Sequence, residues 1–365
     1  MTSARGGEAP ASAGLKRRRG ALHCAIALGA LIAGCLVLHR LAPWPRMDEI
    51  SEKLAYFARH RDEFDTLFIG SSRIYHGIAP QLFDATLKTH GFASTSLNLG
   101  IDGMSMPESA CFLEKILEQK PARLKWVFVE LTSFRLDMDE NRRESARGVY
   151  WHDWTRMKWI ACELWHNGRK TGRGYQWASK RLRPVLNDLE AGAVHASLFL
   201  RNIGNVGRGY DLADGAAPTN SEQFCGAPKF GFLGMDRAEP MTGEELKGYE
   251  KKLAEMRVRK ADPGDNGWGL RVVTDHASRL IRAAGAEPVF VITSSAGVSR
   301  HKWPGQPTDA LLFAYHDPDR NEKFYRVDRR ANSGHLNTLG ALEFTELLAS
   351  DFAKHLSEQR PHAVR

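Results

Sequence analysis

Two distant segments of the chain carry side chains that can transfer an acyl group. In the first, Ser71 and Ser72 follow an apolar run at residues 65–69. That run predicts a buried strand, so the serines fall on a tight turn between a strand and a helix. In the second, the residues Ser-Gly-His-Leu-Asn place His335 just before a helix near the C-terminus. A hydroxyl at the carboxyl edge of a sheet, with an imidazole to take its proton, is what serine acyl transfer needs.

The elements that must position these residues alternate between strand and helix. Short apolar runs predict strands, and amphipathic stretches between them predict helices. The predicted strands cover residues 66–70, 95–101, 126–131, 287–293 and 310–315. The predicted helices cover residues 48–61, 79–88, 107–119, 242–259, 269–284 and 339–356. This alternation predicts an α/β fold with a parallel sheet and helices on its faces.

Several helix boundaries have local signals. Pro80 suits a first helical position, Gly91 a helix end and Thr242 a cap. In the closing helix an apolar stripe is expected to pack on the sheet. That stripe consists of Leu339, Leu342, Leu347, Leu348 and Phe352.

The alternation stops between residues 141 and 241, which we interpret as an insertion. A helical part is expected near residues 151–189, followed by an irregular loop at residues 211–228. The helical part is rich in tryptophan and arginine. One interpretation is a lid whose aromatic faces stack on sugar rings, with Trp151 and Trp154 binding substrate. The other is a helical hairpin with buried tryptophans and solvated charges.

The chain has 365 residues and a formal net charge of +8. A charge of this size suggests nucleic-acid binding, but its distribution along the chain does not. Five basic residues against Glu8 give residues 1–20 a net charge of +4, half of the total. The remaining positive charge is spread over too many residues to form a duplex-binding surface, so nucleic acid is excluded as a partner.

An apolar stretch of nineteen residues, 20–38, follows the basic tail. Its length suits a bilayer core, and the basic cluster at residues 16–19 favours a cytoplasmic N-terminus. We therefore predict a cytoplasmic tail at 1–20, a transmembrane signal anchor at 21–41 and an exported periplasmic or extracellular body at 48–365. The alternative is a cleaved lipoprotein signal at Cys35, because Ile-Ala-Gly-Cys has the small-residue pattern of a lipidation site.

Cysteine and histidine spacing predicts neither a disulfide framework nor a metal site. Only Cys111, Cys162 and Cys225 lie in the predicted exported part, an odd and sparse set. The sequence contains no C-x-x-C, H-x-H or H-E-x-x-H pattern. We therefore expect neither a metal nor another cofactor.

Four short blocks resemble the SGNH, or GDSL-like, hydrolases. They are Gly-Ser-Ser at residues 70–72, Asn-Leu-Gly-Ile-Asp-Gly at 98–103, Val-Phe-Val-Glu at 127–130 and Gly-His-Leu-Asn at 334–337. The resemblance covers most of residues 65–353 apart from the insertion. It implies a flavodoxin-like, three-layer parallel sheet and serine-dependent ester chemistry. It also implies that Ser72 is the nucleophile, that Gly103 and the Ser72 amide bind the oxyanion, and that His335 is the base.

The sequence departs from the family pattern at two positions. The third block usually ends in an oxyanion-binding asparagine, but Phe134 falls near that place, and Thr132 or Ser133 could substitute. Three residues before the histidine the family usually has aspartate, whereas this chain has Asn332. An amide can orient an imidazole, but it has no negative charge with which to stabilise imidazolium. Asp328 and Asp317 are alternative sources of a carboxylate.

The resemblance implies an esterase or O-acyltransferase acting on acyl esters, such as acetyl, of a cell-surface polysaccharide or envelope glycan. Anchored members include accessory proteins of teichoic-acid D-alanylation, which implies a membrane-bound acyl-transfer protein as a partner. Arg73 either binds an acidic substrate group or forms a surface ion pair. Two alternatives stay open: a non-catalytic scaffold or carbohydrate-binding accessory protein of the same fold, and a lipase acting on bilayer lipids.

Overall fold

The structure is a computed structural model. It describes residues 11–41, 47–132, 134, 136, 138, 140–171, 182–204, 221–237, 241–258, 268–296 and 309–359. Statements about the fold refer to these residues. Ser133, one of the two predicted substitutes for the oxyanion asparagine, lies outside them.

A five-stranded sheet forms the centre of the body, and every pair of neighbouring strands is parallel. The strands are β1 Thr66–Ile69, β2 Ser96–Asn98, β3 Trp126–Glu130, β4 Glu287–Ile292 and β5 Leu311–Ala314. All five predicted strands are confirmed. Their order across the sheet is β2-β1-β3-β4-β5. This is the order of doubly wound, flavodoxin-like sheets, in which ligands bind at the point where the order reverses.

Helices cover both faces of the sheet, which gives three layers. Alternate strand residues point to opposite faces, so neighbouring side chains enter different cores. One core contains Leu67, Val127 and Phe290 with residues of the helices Asp48–His60 (α2), Met106–Leu117 (α5) and Trp268–Ala283 (α12). The other contains Phe68, Phe128 and Val289 with residues of α4 Pro80–Thr89 and α13 Thr338–Gln359. Burial on both faces explains why the strands are continuous apolar runs.

The predicted helices of the sheet layers are confirmed to within three residues at each end. Pro80 is at the start of α4, and Gly91, just beyond its end, has a φ of 80°. Leu339 of the predicted stripe is 50% exposed, so that part of the prediction is wrong. Leu348 and Phe352 of the stripe are buried as predicted, and the buried face of α13 also includes Ala341 and Phe344 at helical spacing.

The segment between β3 and β4 is mostly helical where the structure describes it. Its helices before α12 are α6 Glu140–Glu144, α7 Ala146–Tyr150, α8 Trp154–Thr171, α9 Leu182–Ile203, α10 Ser221–Cys225 and α11 Gly243–Val258. The helical part thus extends to Ile203, beyond the predicted end near residue 189. Leu198 and Phe199 are buried in this extension, so packing stabilises it.

The N-terminal helix α1, Ala11–Leu41, contains one candidate membrane span. The span, Arg18–Leu38, is 21 residues long and none of it is buried within the protein. By length and composition it can cross a bilayer, a property that signal sequences share. The remaining short helix, α3 Ser72–Tyr75, belongs to the site described next.

Candidate functional site

The site lies at the carboxyl edge of the sheet, beside the point where the strand order reverses between β1 and β3. Ser72 follows β1, Gly103 follows β2, Glu130 ends β3 and Thr293 follows β4. Because the carboxyl ends of parallel strands share one edge, four stretches distant in sequence meet here.

The turn after β1 presents Ser72 at the start of α3. A Cβ atom at Gly70 would lie 2.6 Å from Cβ of Glu130, so only glycine fits this close approach. Ser71 caps α3, because its hydroxyl oxygen accepts from the amide of Arg73 at 3.3 Å. Its own amide donates to Glu130 Oε2 at 2.7 Å. The turn is therefore fixed to the end of β3, and Ser72 faces the cleft.

Ser72, His335 and Asn332 form a linear hydrogen-bonded array. Ser72 Oγ and His335 Nε2 are 2.7 Å apart, although the residues are 263 positions apart in sequence. The other ring nitrogen, His335 Nδ1, lies 2.9 Å from Asn332 Oδ1. A hydroxyl, an imidazole and an orienting third group in this order form the arrangement that activates a serine nucleophile.

Backbone amides fix the protonation of this array. The amides of Gly334 and His335 donate to Asn332 Oδ1 at 2.8 and 3.0 Å, so this atom is the amide oxygen. An oxygen only accepts here, so His335 Nδ1 carries the hydrogen. The lone pair of Nε2 therefore points to the Ser72 hydroxyl. The amide side chain of Asn332 thus holds the imidazole in the tautomer that a general base needs.

His335 is neutral at physiological pH. Burial, together with the positive charges of His76, Arg73 and Arg330, lowers the pKa of His335 to about 4. A neutral imidazole can accept a proton from Ser72.

Two backbone amides beside Ser72 are available to bind an oxyanion. Within the described residues, no hydrogen bond is donated by the amide of Ser72 or of Gly103. Gly103 has a φ of 63°, a left-handed conformation that favours glycine. Thr132 is 6% exposed, and its Oγ1 has no hydrogen-bond partner in the described part of the chain. Its hydroxyl, just after β3, is thus a third donor without a partner among the described residues.

The alternative carboxylates have other partners. Asp328 accepts from Arg326 at 3.1 Å and from Arg329 at 2.7 Å, on the protein surface. Asp317 accepts from the amide of Asp319 at 3.0 Å. The structure therefore places Asn332, and not a carboxylate, on the far side of His335.

A second histidine, His76, lies beside the first, with its ring centroid 6.0 Å from that of His335. His76 Nδ1 lies 2.6 Å from the carbonyl oxygen of Leu233, and Nε2 lies 3.1 Å from Asp102 Oδ1. Both partners only accept, so both ring nitrogens donate and the ring is an imidazolium. Burial lowers the pKa of His76, but the bonds to Asp102 and Leu233 outweigh it, and the net shift is upward. This ion pair joins the end of α3 to the residue before Gly103.

Glu130 and Arg73 form a buried ion pair below the serine turn. Glu130 is fully buried, and its Oε1 lies 2.6 Å from Arg73 Nε. The hydroxyl of Thr293 donates to the same oxygen at 3.2 Å. Arg73 also lines the cleft, so of its two predicted roles the structure displays the ion pair.

Arg330 braces the loop that carries the histidine. It is 2% exposed and donates to the carbonyl oxygens of Ser294, Asn332 and Ser333 at 3.1, 3.2 and 2.7 Å. A buried guanidinium bound to several carbonyls fixes the backbone on both sides of Asn332.

The cleft has a volume of about 560 Å³, and its lining includes Ser72, Gly103, His335, Arg142 and Arg156. This volume suits a small ligand such as one or two sugar rings.

The two tryptophans predicted to bind substrate are not among the described residues that line the cleft. Trp151 is 1% exposed and packs in the core, so that prediction is wrong. Trp154 is 66% exposed, and its ring packs edge-on against Phe199. Burial of a large indole is favoured wherever a core is available, which accounts for Trp151.

Among the described residues, no group of three or more His, Cys, Asp or Glu side chains is placed to hold a metal ion. The donors in the cleft are hydroxyls, amides and guanidinium groups. They suit an organic substrate with carbonyl or acidic groups.

The comparisons with known proteins assign no family. No protein-family model matches the chain, and no curated protein matches it. The resemblance to SGNH hydrolases therefore stays a prediction that depends on the motifs.

Sequence reasoning missed the supporting residues Glu130, His76, Asp102 and Arg330. A weak signal was present for Glu130, because a carboxylate that ends an otherwise apolar strand needs a partner at that edge. Asp102 directly precedes Gly103. No local pattern indicated that His76 would pair with it.

Proposed function

We propose that this protein is a membrane-tethered serine ester hydrolase or O-acyltransferase of the SGNH type. Its substrates are acyl esters, such as acetyl esters, of a cell-surface polysaccharide or envelope glycan. The observation that supports the chemistry is the 2.7 Å contact between Ser72 Oγ and His335 Nε2, with Asn332 on the far side of the ring. The glycan assignment depends on the resemblance to anchored family members.

In the first half-reaction, Ser72 Oγ attacks the acyl carbonyl carbon while its proton moves to His335 Nε2. The carbonyl π electrons move onto oxygen, and the amides of Ser72 and Gly103 donate to the resulting oxyanion. Collapse of this intermediate breaks the ester bond. The leaving alkoxide takes the proton from His335, and the acyl group stays on Ser72.

In the second half-reaction, an acceptor hydroxyl attacks the acyl-serine. His335 takes the acceptor's proton and returns it to Ser72 Oγ as the acyl–serine bond breaks. Water as acceptor gives hydrolysis, and a sugar hydroxyl gives transfer. A membrane-bound partner protein that supplies the acyl group belongs to the transfer version of this proposal.

The helix α1 serves as the membrane tether in this proposal. The basic cluster at residues 16–19 precedes the span, which favours a cytoplasmic N-terminus and an exported body. A cysteine-accessibility assay on intact cells tests the orientation: a cysteine placed on the exposed surface of α13 reacts with an impermeant reagent if the body is exported.

Fluorophosphonate labelling of the purified protein tests the nucleophile. We expect labelling of the wild type, no labelling of Ser72→Ala and retained labelling of Ser71→Ala, because only Ser72 contacts His335. Mass spectrometry of the labelled peptide locates the adduct.

An unlabelled wild type, under conditions that modify a control esterase, would contradict the proposal. It would favour the non-catalytic scaffold or carbohydrate-binding protein, which the replacement of aspartate by Asn332 also favours. Release of fatty acid from phospholipid vesicles, without deacetylation of glycans, would favour the lipase.

A further inference from the structure

One wall of the cleft is made by arginines that follow β3. Arg142 of α6 and Arg156 of α8 line the same cleft as Ser72 and His335. The guanidinium of Arg142 approaches the oxyanion loop, since its Nη2 lies 3.1 Å from the position of a Cβ built on Gly103. This wall therefore faces the space next to the reacting carbonyl.

Arg156 is the unusual member of the wall. It is 6% exposed, and its Nη1 is buried without a hydrogen-bond partner in the described part of the chain. Its backbone amide bonds Asp153 at 2.8 Å, but none of the described carboxylates lies within 4 Å of its guanidinium. Burial of a charge without a partner is costly, and arginine keeps its charge at all physiological pH values. Such a group is a ready binding site for an anion.

The carboxylates nearest the wall contact other arginines. Glu108 is 2% exposed and lies 3.3 Å from Arg147 and 3.7 Å from Arg142, and it faces the charge of Arg156 from farther away. Glu130 neutralises Arg73 at 2.6 Å. None of the described carboxylates contacts the guanidinium of Arg156, and those of Glu108 and Asp153 oppose its charge only from a greater distance.

Neighbouring imidazoles do not change the net charge around Arg156. Burial, with a smaller contribution from the charge of Arg156, lowers the pKa of His152 to about 2 and that of His195 to about 4. Both rings are therefore neutral at physiological pH. The charges of His76 and Asp102, which form an ion pair at 3.1 Å, cancel each other.

We infer that the arginine wall, Arg142 and Arg156, binds an acidic group on the carrier of the acyl ester, a carboxylate or a phosphate. A planar guanidinium pairs well with both groups, and pairing supplies the partner that Arg156 lacks. The hydroxyl of Thr132 lies on the same cleft and has no partner, so it can donate to the carrier or to the oxyanion. This inference rests on the proposed function and narrows its substrate class to esters of an acidic glycan.

The kinetic test uses three acetyl esters that differ only in their carrier: acetylated methyl glucoside, acetylated methyl glucuronoside and acetylated glucose 6-phosphate. We expect the wild type to prefer one or both acidic carriers over the neutral one. The Arg156→Gln variant should lose about 10- to 100-fold of that preference, expressed as a ratio of kcat/KM values. The two acidic carriers distinguish a carboxylate ligand from a phosphate ligand.

Arg282→Gln is the matched control. It removes the same charge at the opposite edge of the sheet, where Arg282 pairs with Asp309 at 2.6 Å. The control should keep the wild-type preference. An equal loss on all three esters in Arg156→Gln would overturn the inference, because it would mean that the arginine acts on the oxyanion or on folding.

A binding test separates this inference from the proposed function. Isothermal titration of the Ser72→Ala protein with glucuronate, inorganic phosphate and glucose needs no turnover. We expect at least one anion to bind more tightly than glucose, and the added Arg156→Gln change to remove the difference. Binding of an anion by a protein without esterase activity would refute the proposed function alone, and ester hydrolysis without anion preference in either test would refute the inference alone.

Discussion

Two histidines, His335 and His76, lie next to each other with ring centroids 6.0 Å apart, yet they differ in charge. The pKa of His335 is lowered to about 4, whereas the pKa of His76 is raised. Burial acts downward on both. The difference comes from their partners: His335 bonds an amide oxygen and a hydroxyl, and His76 bonds a carboxylate and a backbone carbonyl.

This comparison shows how one cleft separates a base from a cation. A general base must be neutral to take a proton, and an imidazolium must keep its proton to hold Asp102. The carboxylate of Asp102 is bonded to His76, whereas His335 is bonded to the amide side chain of Asn332. Asp102 in turn has its pKa lowered, chiefly by the bond from His76.

The largest expected effect is on catalysis. His335→Gln should lower kcat/KM for an ester by about 1000-fold or more, because the proton acceptor for Ser72 is lost. His76→Gln should lower it by only about tenfold, because His76 positions the Gly103 loop and does not touch the reacting atoms. Steady-state hydrolysis of an acetyl ester measures both. Equal losses in the two variants would show that the division of roles is wrong.

The second prediction exchanges the partners. Asn332→Asp should raise the pKa of His335 by about one to two units, because an anion stabilises imidazolium. Asp102→Asn should lower the pKa of His76. NMR titration of the two imidazoles measures both shifts.

Asn332→Leu is the matched control for the exchange. It removes the acceptor for His335 Nδ1, so activity should fall without an upward shift of the imidazole pKa. An unchanged His335 pKa in Asn332→Asp would contradict the view that the missing charge keeps it low.

The pH dependence of the wild type follows from the same geometry. Below a pH of about 4 His335 is protonated and cannot accept from Ser72, so activity falls as the pH falls through about 4. Above that pH His335 is neutral, and activity no longer increases with pH through its titration. The rate of fluorophosphonate labelling between pH 3 and 8 measures this acid limb of the pH profile. In Asn332→Asp the limb should move to higher pH, and a wild-type midpoint near 6.5 would contradict the assignment.

The smallest expected effect is on stability. The folded pKa of His76 lies above its unfolded value of about 6.5, so its contribution is fully present below that pH. The contribution is lost as the pH rises through the folded pKa. His76→Gln should therefore lower the free energy of unfolding more at pH 5.5 than at pH 9, by about 1 kcal/mol or less, because Asp102 is well exposed and solvent screens the pair.

Urea unfolding at the two pH values measures this difference. Asp102→Asn is its control, since it removes the charge partner but keeps the ring. A pH-independent effect of His76→Gln would mean that the ring contributes by packing alone.

The sheet could be predicted from local patterns because both of its faces are buried. Apolar runs such as residues 66–70 and 126–131 are strong strand signals, and their alternation with amphipathic helices indicated a parallel sheet. The meeting of Ser72 and Gly103 followed from the same logic, since both follow strands at one edge. The burial of Trp151 did not, because a tryptophan among arginines reads equally well as a lid residue or a core residue.

The sequence by itself determined the strand and helix pattern, the apolar N-terminal helix and the residue types at the serine turn and the histidine loop. Only the tertiary structure decided which groups pair: Ser72 with His335 across 263 residues, Glu130 with the serine turn across 59, and Asp102 with His76 instead of with His335. Local patterns record backbone preference and burial, which act over a few residues. Charge and protonation in the cleft depend on distances between distant segments, and only folding sets those distances.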